Sequence, residues 1–240
     1  MYEINPPKIS AGQNGLDTLF ERIESIRSIC DGIHLTDSVL GIPRISPLNI
    51  AKKIRESNKK IKLTCSLRVR DKELSIIEEI LKESIDIVDG ILILMGDKSN
   101  TNKDKTNLVS SKIVEILNDK GFNDKLELFL SIPANPNFTK IQKKIDAKPT
   151  GFFTQIVNSK VLVQRISDYL KPKGFRIIPC LLLPSEKNSK SAEFLNIDWS
   201  YYKDDFTEFV NQVHNLTDDV LITSPNDFKG AHETLLKLTT

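Results

Sequence analysis

Eight short apolar runs, each followed by an amphipathic stretch, constrain this chain more than any other feature. The strand-like runs fall at 2–5, 32–36, 60–65, 90–95, 127–132, 151–156, 175–181 and 219–223. Several are continuous, such as Ile91-Leu92-Ile93-Leu94 and Leu128-Phe129-Leu130. A strand apolar on both faces needs cover on both, and parallel sheets receive it from their crossover helices. Eight is also the number that closes such a sheet on itself. The pattern predicts the α/β class, as a single (β/α)8 TIM barrel spanning residues 1–240.

The stretches between the runs keep a helical period. Leu74, Ile77, Leu81 and Ile85 recur at steps of three and four, as do Val109, Ile113 and Ile116, and Leu162, Ile166 and Tyr169. Ser46 before Pro47 reads as an N-cap with proline in the first turn, and Asp71 as the cap of the helix carrying Leu74. The long stretch 192–216 reads as two helical pieces, with Trp199, Tyr201 and Tyr202 packing at their junction. A last helix is expected over about 228–238.

Composition removes several function classes. The 34 basic residues nearly balance the 32 acidic ones, so the net charge is only +2, which gives no footprint for nucleic acid or an anionic membrane. No apolar run approaches the roughly 18 residues of a membrane span. The opening Met1-Tyr2-Glu3-Ile4 lacks the basic and apolar regions of a secretory signal, so a cytoplasmic location is expected. Cys30, Cys65 and Cys180 are odd in number and far apart, which favours reduced core thiols over a disulfide framework or zinc site. His34, His214 and His232 are scattered, against a metal centre or a Ser-His-Asp triad. Neither G-x-G-x-x-G nor a Walker motif is present.

Two carboxylates stand where a strand gives way to a loop, Glu3 before Asn5-Pro6-Pro7 and Asp97 after Ile91 to Gly96. In a barrel of this kind the strand exits face the substrate. Two carboxylates there can divide the work, one ionised and one kept protonated by an apolar setting. Thr36, Asp37, Thr64, Cys65, Asn135 and Gln155 complete a list of polar groups at strand exits. The polar segment from Lys98 to Lys105 reads either as a lid or as a solvated loop.

These residues, in this order, resemble the methylenetetrahydrofolate reductase family across essentially the full length. The motifs are Tyr2-Glu3-Ile4-Asn5-Pro6-Pro7, Thr36-Asp37-Ser38 with Gly41-Ile42-Pro43-Arg44-Ile45-Ser46-Pro47, Leu63-Thr64-Cys65, Gly96-Asp97, and Thr154-Gln155 after Phe152-Phe153. The resemblance implies a (β/α)8 barrel that reduces the methylene group of a tetrahydrofolate-like pterin to a methyl group. FAD would carry the hydride, with NADH or NADPH as electron donor. Glu3 would be the general acid that opens the methylene bridge, and Asp97 would serve catalysis and bind both pterin and flavin. Gln155 would hydrogen-bond the pterin. Thr36, Lys62, Gly96 and Asn135 would lie on the flavin side, and Lys143 and Lys144 would meet the flavin's phosphates. Lys62 and Asn135 stand where the family carries histidines, Ser159 replaces an Asp, and no Arg follows the eighth strand. The alternatives are a flavin-independent or tetrahydromethanopterin-type reductase, and a non-catalytic pterin-binding barrel subunit. The expected partner is a reduced pterin, with a homo-oligomer or partner subunit left open.

Overall fold

The structure is a computed structural model and describes residues 1–38, 42–57, 60–96 and 106–239. Strands β1 (Tyr2–Ile4), β2 (Gly32–Leu35), β3 (Lys62–Arg68), β4 (Gly90–Leu94), β5 (Glu127–Ile132), β6 (Gly151–Ile156), β7 (Arg176–Leu182) and β8 (Leu221–Thr223) pair in sequence order. All pairs are parallel, and β8 returns to β1 to close the barrel. Helices α1 (Gly12–Ile26), α2 (Pro47–Ser57), α3 (Leu74–Ser84), α4 (Ser110–Asp119), α5 (Gln142–Asp146), α6 (Lys160–Leu170), α7 (Ser189–Phe194), α8 (Phe206–Thr217) and α9 (Phe228–Leu238) follow the strands around the outside.

Strand alternation builds two apolar cores. Outward residues such as Ile33, Leu63, Ile91 and Leu128 pack with the helix faces, while Leu92, Phe129, Phe153, Ile178 and Leu221 fill the barrel itself. Below that plug, Lys62, Glu127 and Arg176 open β3, β5 and β7 at the amino-terminal mouth. Lys62 lies 2.9 Å from Glu127, and Arg176 pairs with Glu127 and, at 2.7 Å, with Asp219. Their bulk fits because alternate strands begin with glycine. A Cβ on Gly90 would stand 2.8 Å from the Phe129 ring, and one on Gly151 would stand 2.3 Å from the Arg176 carbonyl oxygen.

Local sequence decides most boundaries as expected, with four corrections. Strand β3 does not stop at Cys65 but runs on to Arg68, so Thr64 and Cys65 are mid-strand rather than exit residues. Asp71 does not cap α3, because the extended backbone before the first turn belongs to Glu73. The buried face of α4 is Ile113, Val114 and Leu117 while Val109 is 55% exposed, and α6 buries Val163, Ile166 and Leu170. Both faces are rotated by one position from the sequence reading, since steps of three and four fit two adjacent registers of a short helix. The aromatics of the β7–β8 connection are packing residues: Tyr202 stacks on Phe209 at 4.5 Å and its hydroxyl donates to the Leu182 carbonyl.

Candidate functional site at the carboxyl-terminal mouth

Closure of the sheet sets the position of Glu3. It faces inward from the middle of β1, level with His34 of β2, and beside the last residue of β8. The Thr223 hydroxyl donates a 2.6 Å hydrogen bond to Glu3 Oε1. Burial pushes the Glu3 pKa above the usual carboxylate range, and the Thr223 bond offsets part of that rise. A low-dielectric setting with no facing cation among the described residues favours the protonated acid. Cys180 of β7 lies near enough for the two charges to repel, and burial raises that thiol's pKa well above its ordinary value.

The loops around Glu3 are pinned to one another. Pro6 and Pro7 have no N–H to satisfy, but their carbonyls accept from Arg44 Nη1 at 2.6 Å and from the Ile45 N–H at 3.1 Å. Thr36, just past β2, donates to Asn5 Oδ1 at 2.6 Å. The proline pair therefore holds the β1 exit against the β2 exit.

A bulge shapes the opposite rim. The β6–β7 register shifts between Phe153 and Ile156, where β7 carries Pro179. The Cys180 N–H donates to the Thr154 hydroxyl at 3.1 Å. The extra residue turns Gln155 out of the ladder, and its amide stands exposed at the strand end.

His34 forms part of the floor. Its Nδ1 and Nε2 lie 2.8 and 2.9 Å from the hydroxyls of Thr64 and Ser66, and its ring lies 4.9 Å from that of Phe153. Burial pulls its pKa down to about 3, so the ring is neutral and joins two hydroxyls.

Of the residues expected from sequence, Glu3, Thr36, Gly96, Gln155 and Lys144 stand at the carboxyl ends of the strands. The Lys144 ammonium is half-buried against the Ser131 carbonyl at the end of β5, and burial lowers its pKa. Asp97 and the segment from Lys98 to Lys105 lie outside the described residues. Lys62 is corrected: as the first residue of β3 it lies at the amino-terminal mouth, in a polar recess of about 700 Å³ with Arg55, Asp89 and Glu127. Asn135 turns away to accept from Arg165 of α6, and Lys143 is exposed while its neighbour points inward. Among the described residues expected for a flavin, Thr36, Gly96 and Lys144 stand at this mouth, Lys62 lies at the other end of the barrel, and Asn135 and Lys143 are exposed.

Sequence reasoning passed over Thr223, His34 and Arg68. The missed signal was alternation. Lys62, Thr64, Ser66 and Arg68 are polar, while Leu63, Cys65 and Leu67 are apolar, which is the period of a strand with a polar inner face.

The fold and the mouth define a parallel (β/α)8 barrel with a buried acid on its first strand. No protein-family model matches the sequence, and no curated protein matches it. Among solved structures it is similar to an uncharacterized protein from Clostridium thermocellum that binds two copies of 5-methyl-5,6,7,8-tetrahydrofolic acid. That pair has a TM-score of 0.67 at 17% identity, over 99% of this chain and 92% of the other. A GH18 chitinase, ChiB, from Flavobacterium johnsoniae gives 0.58 at 13% identity, over 99% and 93%. A mutant tryptophan synthase alpha-subunit from Pyrococcus furiosus gives 0.58 at 11%, over 99% and 93%. At these identities the likeness is one of fold. No helix among the described residues is long and apolar enough to cross a membrane.

Proposed function

We propose that the barrel binds a reduced pterin at its carboxyl-terminal mouth and reduces a 5,10-methylene bridge on it to a 5-methyl group. The observation that carries this reading is Glu3, a carboxyl whose pKa is raised by burial and which is held by Thr223 inside a polar rim. Opening the bridge requires a proton on the departing nitrogen, and a positioned acid of raised pKa supplies it. The N10–CH2 bond breaks as N10 takes the Glu3 proton, and the resulting cation at N5 accepts a hydride. Glu3 is then reprotonated from water. Its carboxylate, formed in a low-dielectric site, stabilises the cation while it lasts. In this reading Gln155, exposed at the end of β6, hydrogen-bonds the amide edge of the pterin ring.

The hydride in this reading comes directly from NADH or NADPH, because the described flavin-side residues scatter. Feeding 5,10-methylene-tetrahydrofolate or 5,10-methylene-tetrahydromethanopterin with 4-deuterated nicotinamide tests it by product mass. Deuterium in the new methyl group supports direct transfer. A methyl product without the label places an exchangeable carrier between donor and pterin. No methyl product from either pterin removes the reductase.

The Clostridium thermocellum neighbour favours a second reading, a barrel that holds the methylated pterin without making it. Tight binding of 5-methyl-tetrahydrofolate with no turnover in either direction would select that reading.

A further inference from the structure

We propose that Arg68 is an oxyanion anchor of the mouth, its Nε–H and Nη2–H edge taking a carboxylate or phosphate of the bound ligand. This rests on the carboxyl-terminal mouth being the ligand site. Arg68 ends β3 on the inner-face alternation of Thr64 and Ser66, whose hydroxyls meet His34 inside the barrel. It is only 4% exposed, yet Nε and Nη2 are buried with no hydrogen-bond partner among the described residues. Those two nitrogens form one side of the guanidinium, two parallel donors spaced for the two oxygens of an oxyanion.

The surroundings hold the side chain in place without satisfying it. The Arg68 N–H is taken by Asp37 Oδ2 at 2.9 Å, and its carbonyl accepts from Lys72 at 2.8 Å. Asp71 Oδ1 is 3.8 Å from Nε, within reach of its charge but beyond a hydrogen bond, and lies nearer to Lys72, at 3.3 Å. Gly96, at φ +75°, is what gives the side chain room. A Cβ there would stand 2.6 Å from Arg68 Cγ. A buried guanidinium with two open donors is costly to keep, and a ligand that completes those donors offsets that cost.

The test uses the full chain with Arg68→Met and Arg68→Lys. The probes are 5-methyl-tetrahydrofolate, 6-methyltetrahydropterin (the ring without the carboxylate tail), NADPH and inorganic phosphate, read by calorimetry and melting. Without ligand, Arg68→Met should melt no lower than wild type, because it removes buried donors that no described residue satisfies. A loss of about thirtyfold or more for 5-methyl-tetrahydrofolate alone, with 6-methyltetrahydropterin unchanged, identifies a carboxylate. The same loss for NADPH alone identifies a phosphate. Arg68→Lys should recover only part of either, since a point charge lacks the fork. Undiminished binding of every probe in Arg68→Met overturns the anchor and leaves the proposed function standing. A lower melting temperature with equal loss of all probes makes Arg68 structural and also overturns it. If wild type binds neither tetrahydropterin, the proposed function fails. Phosphate or NADPH binding that vanishes in Arg68→Met then keeps the anchor, and its absence ends it.

Discussion

Glu3 and Thr223, 220 residues apart in sequence, share a 2.6 Å hydrogen bond across the seam where the last strand meets the first. The acid acquires its environment from that seam. Burial raises its pKa, and one hydroxyl moderates the rise.

Glu3→Gln keeps size and hydrogen bonding but has no proton to give. Methyl-pterin formation should fall by about 10²-fold or more, while ligand binding stays within a few fold. Stopped-flow oxidation of the nicotinamide measures the first and calorimetry the second. Equal loss of both would make Glu3 a scaffold residue. The variant should also change stability with a defined sign. Because burial raises the folded pKa above the ordinary 4.5, Glu3's contribution is fully present below that value and is lost as pH rises through the folded pKa. Denaturant melts of Glu3→Gln should lack this decline.

Thr223→Val removes the one hydrogen bond that lowers the Glu3 pKa. If turnover needs Glu3 protonated, the alkaline limb of the rate profile should move upward. An unmoved limb would assign that limb to another group.

His34 gives the opposite pH signature. Its folded pKa is pulled to about 3 from an ordinary 6.5, so the unfolded chain takes up protons first as pH falls. Stability should be full above 6.5 and drain away between there and about 3, by an upper bound on the order of 5 kcal/mol. Urea midpoints of His34→Gln should show a flatter acid slope than wild type, and identical slopes would assign the acid loss elsewhere.

The three lysines expected at a cofactor separate by position. Lys62→Ala, at the amino-terminal mouth, should cost no more than about 1 kcal/mol of stability and leave every ligand affinity unchanged. Lys143→Ala should be silent. Lys144→Ala should raise the KM for the nicotinamide donor by about tenfold, as loss of one charge-assisted contact to phosphate would. An unchanged KM in Lys144→Ala would leave Lys144 as a strut for the β5 exit.

The barrel was legible in the sequence because its strands are apolar on both faces, and such runs stand out from amphipathic helices. Residues 127–132 and 151–156 match β5 and β6 to the residue. Strand β3 was cut short because Ser66 and Arg68 look like a loop in one dimension, and only the neighbouring strands make them an inner face. Glu3 could be picked out as an exit carboxylate, but its raised pKa comes from burial in the closed barrel, and only strand pairing sets Thr223 beside it to moderate the rise. Lys62 was misplaced because a strand's residues carry no mark of which mouth they face. Helix registers slipped by one in α4 and α6, where three or four apolar positions fit two faces almost equally.

The tie between the first two rim loops bears on how such a barrel can change over evolutionary time. Arg44 reaches back to the Pro6 carbonyl, Ile45 to that of Pro7, and Lys8 pairs with Arg44 as an isolated bridge. Neither loop can drift alone without stranding the other's donors. Positions 6–8 and 43–45 should therefore be inherited and replaced as one block.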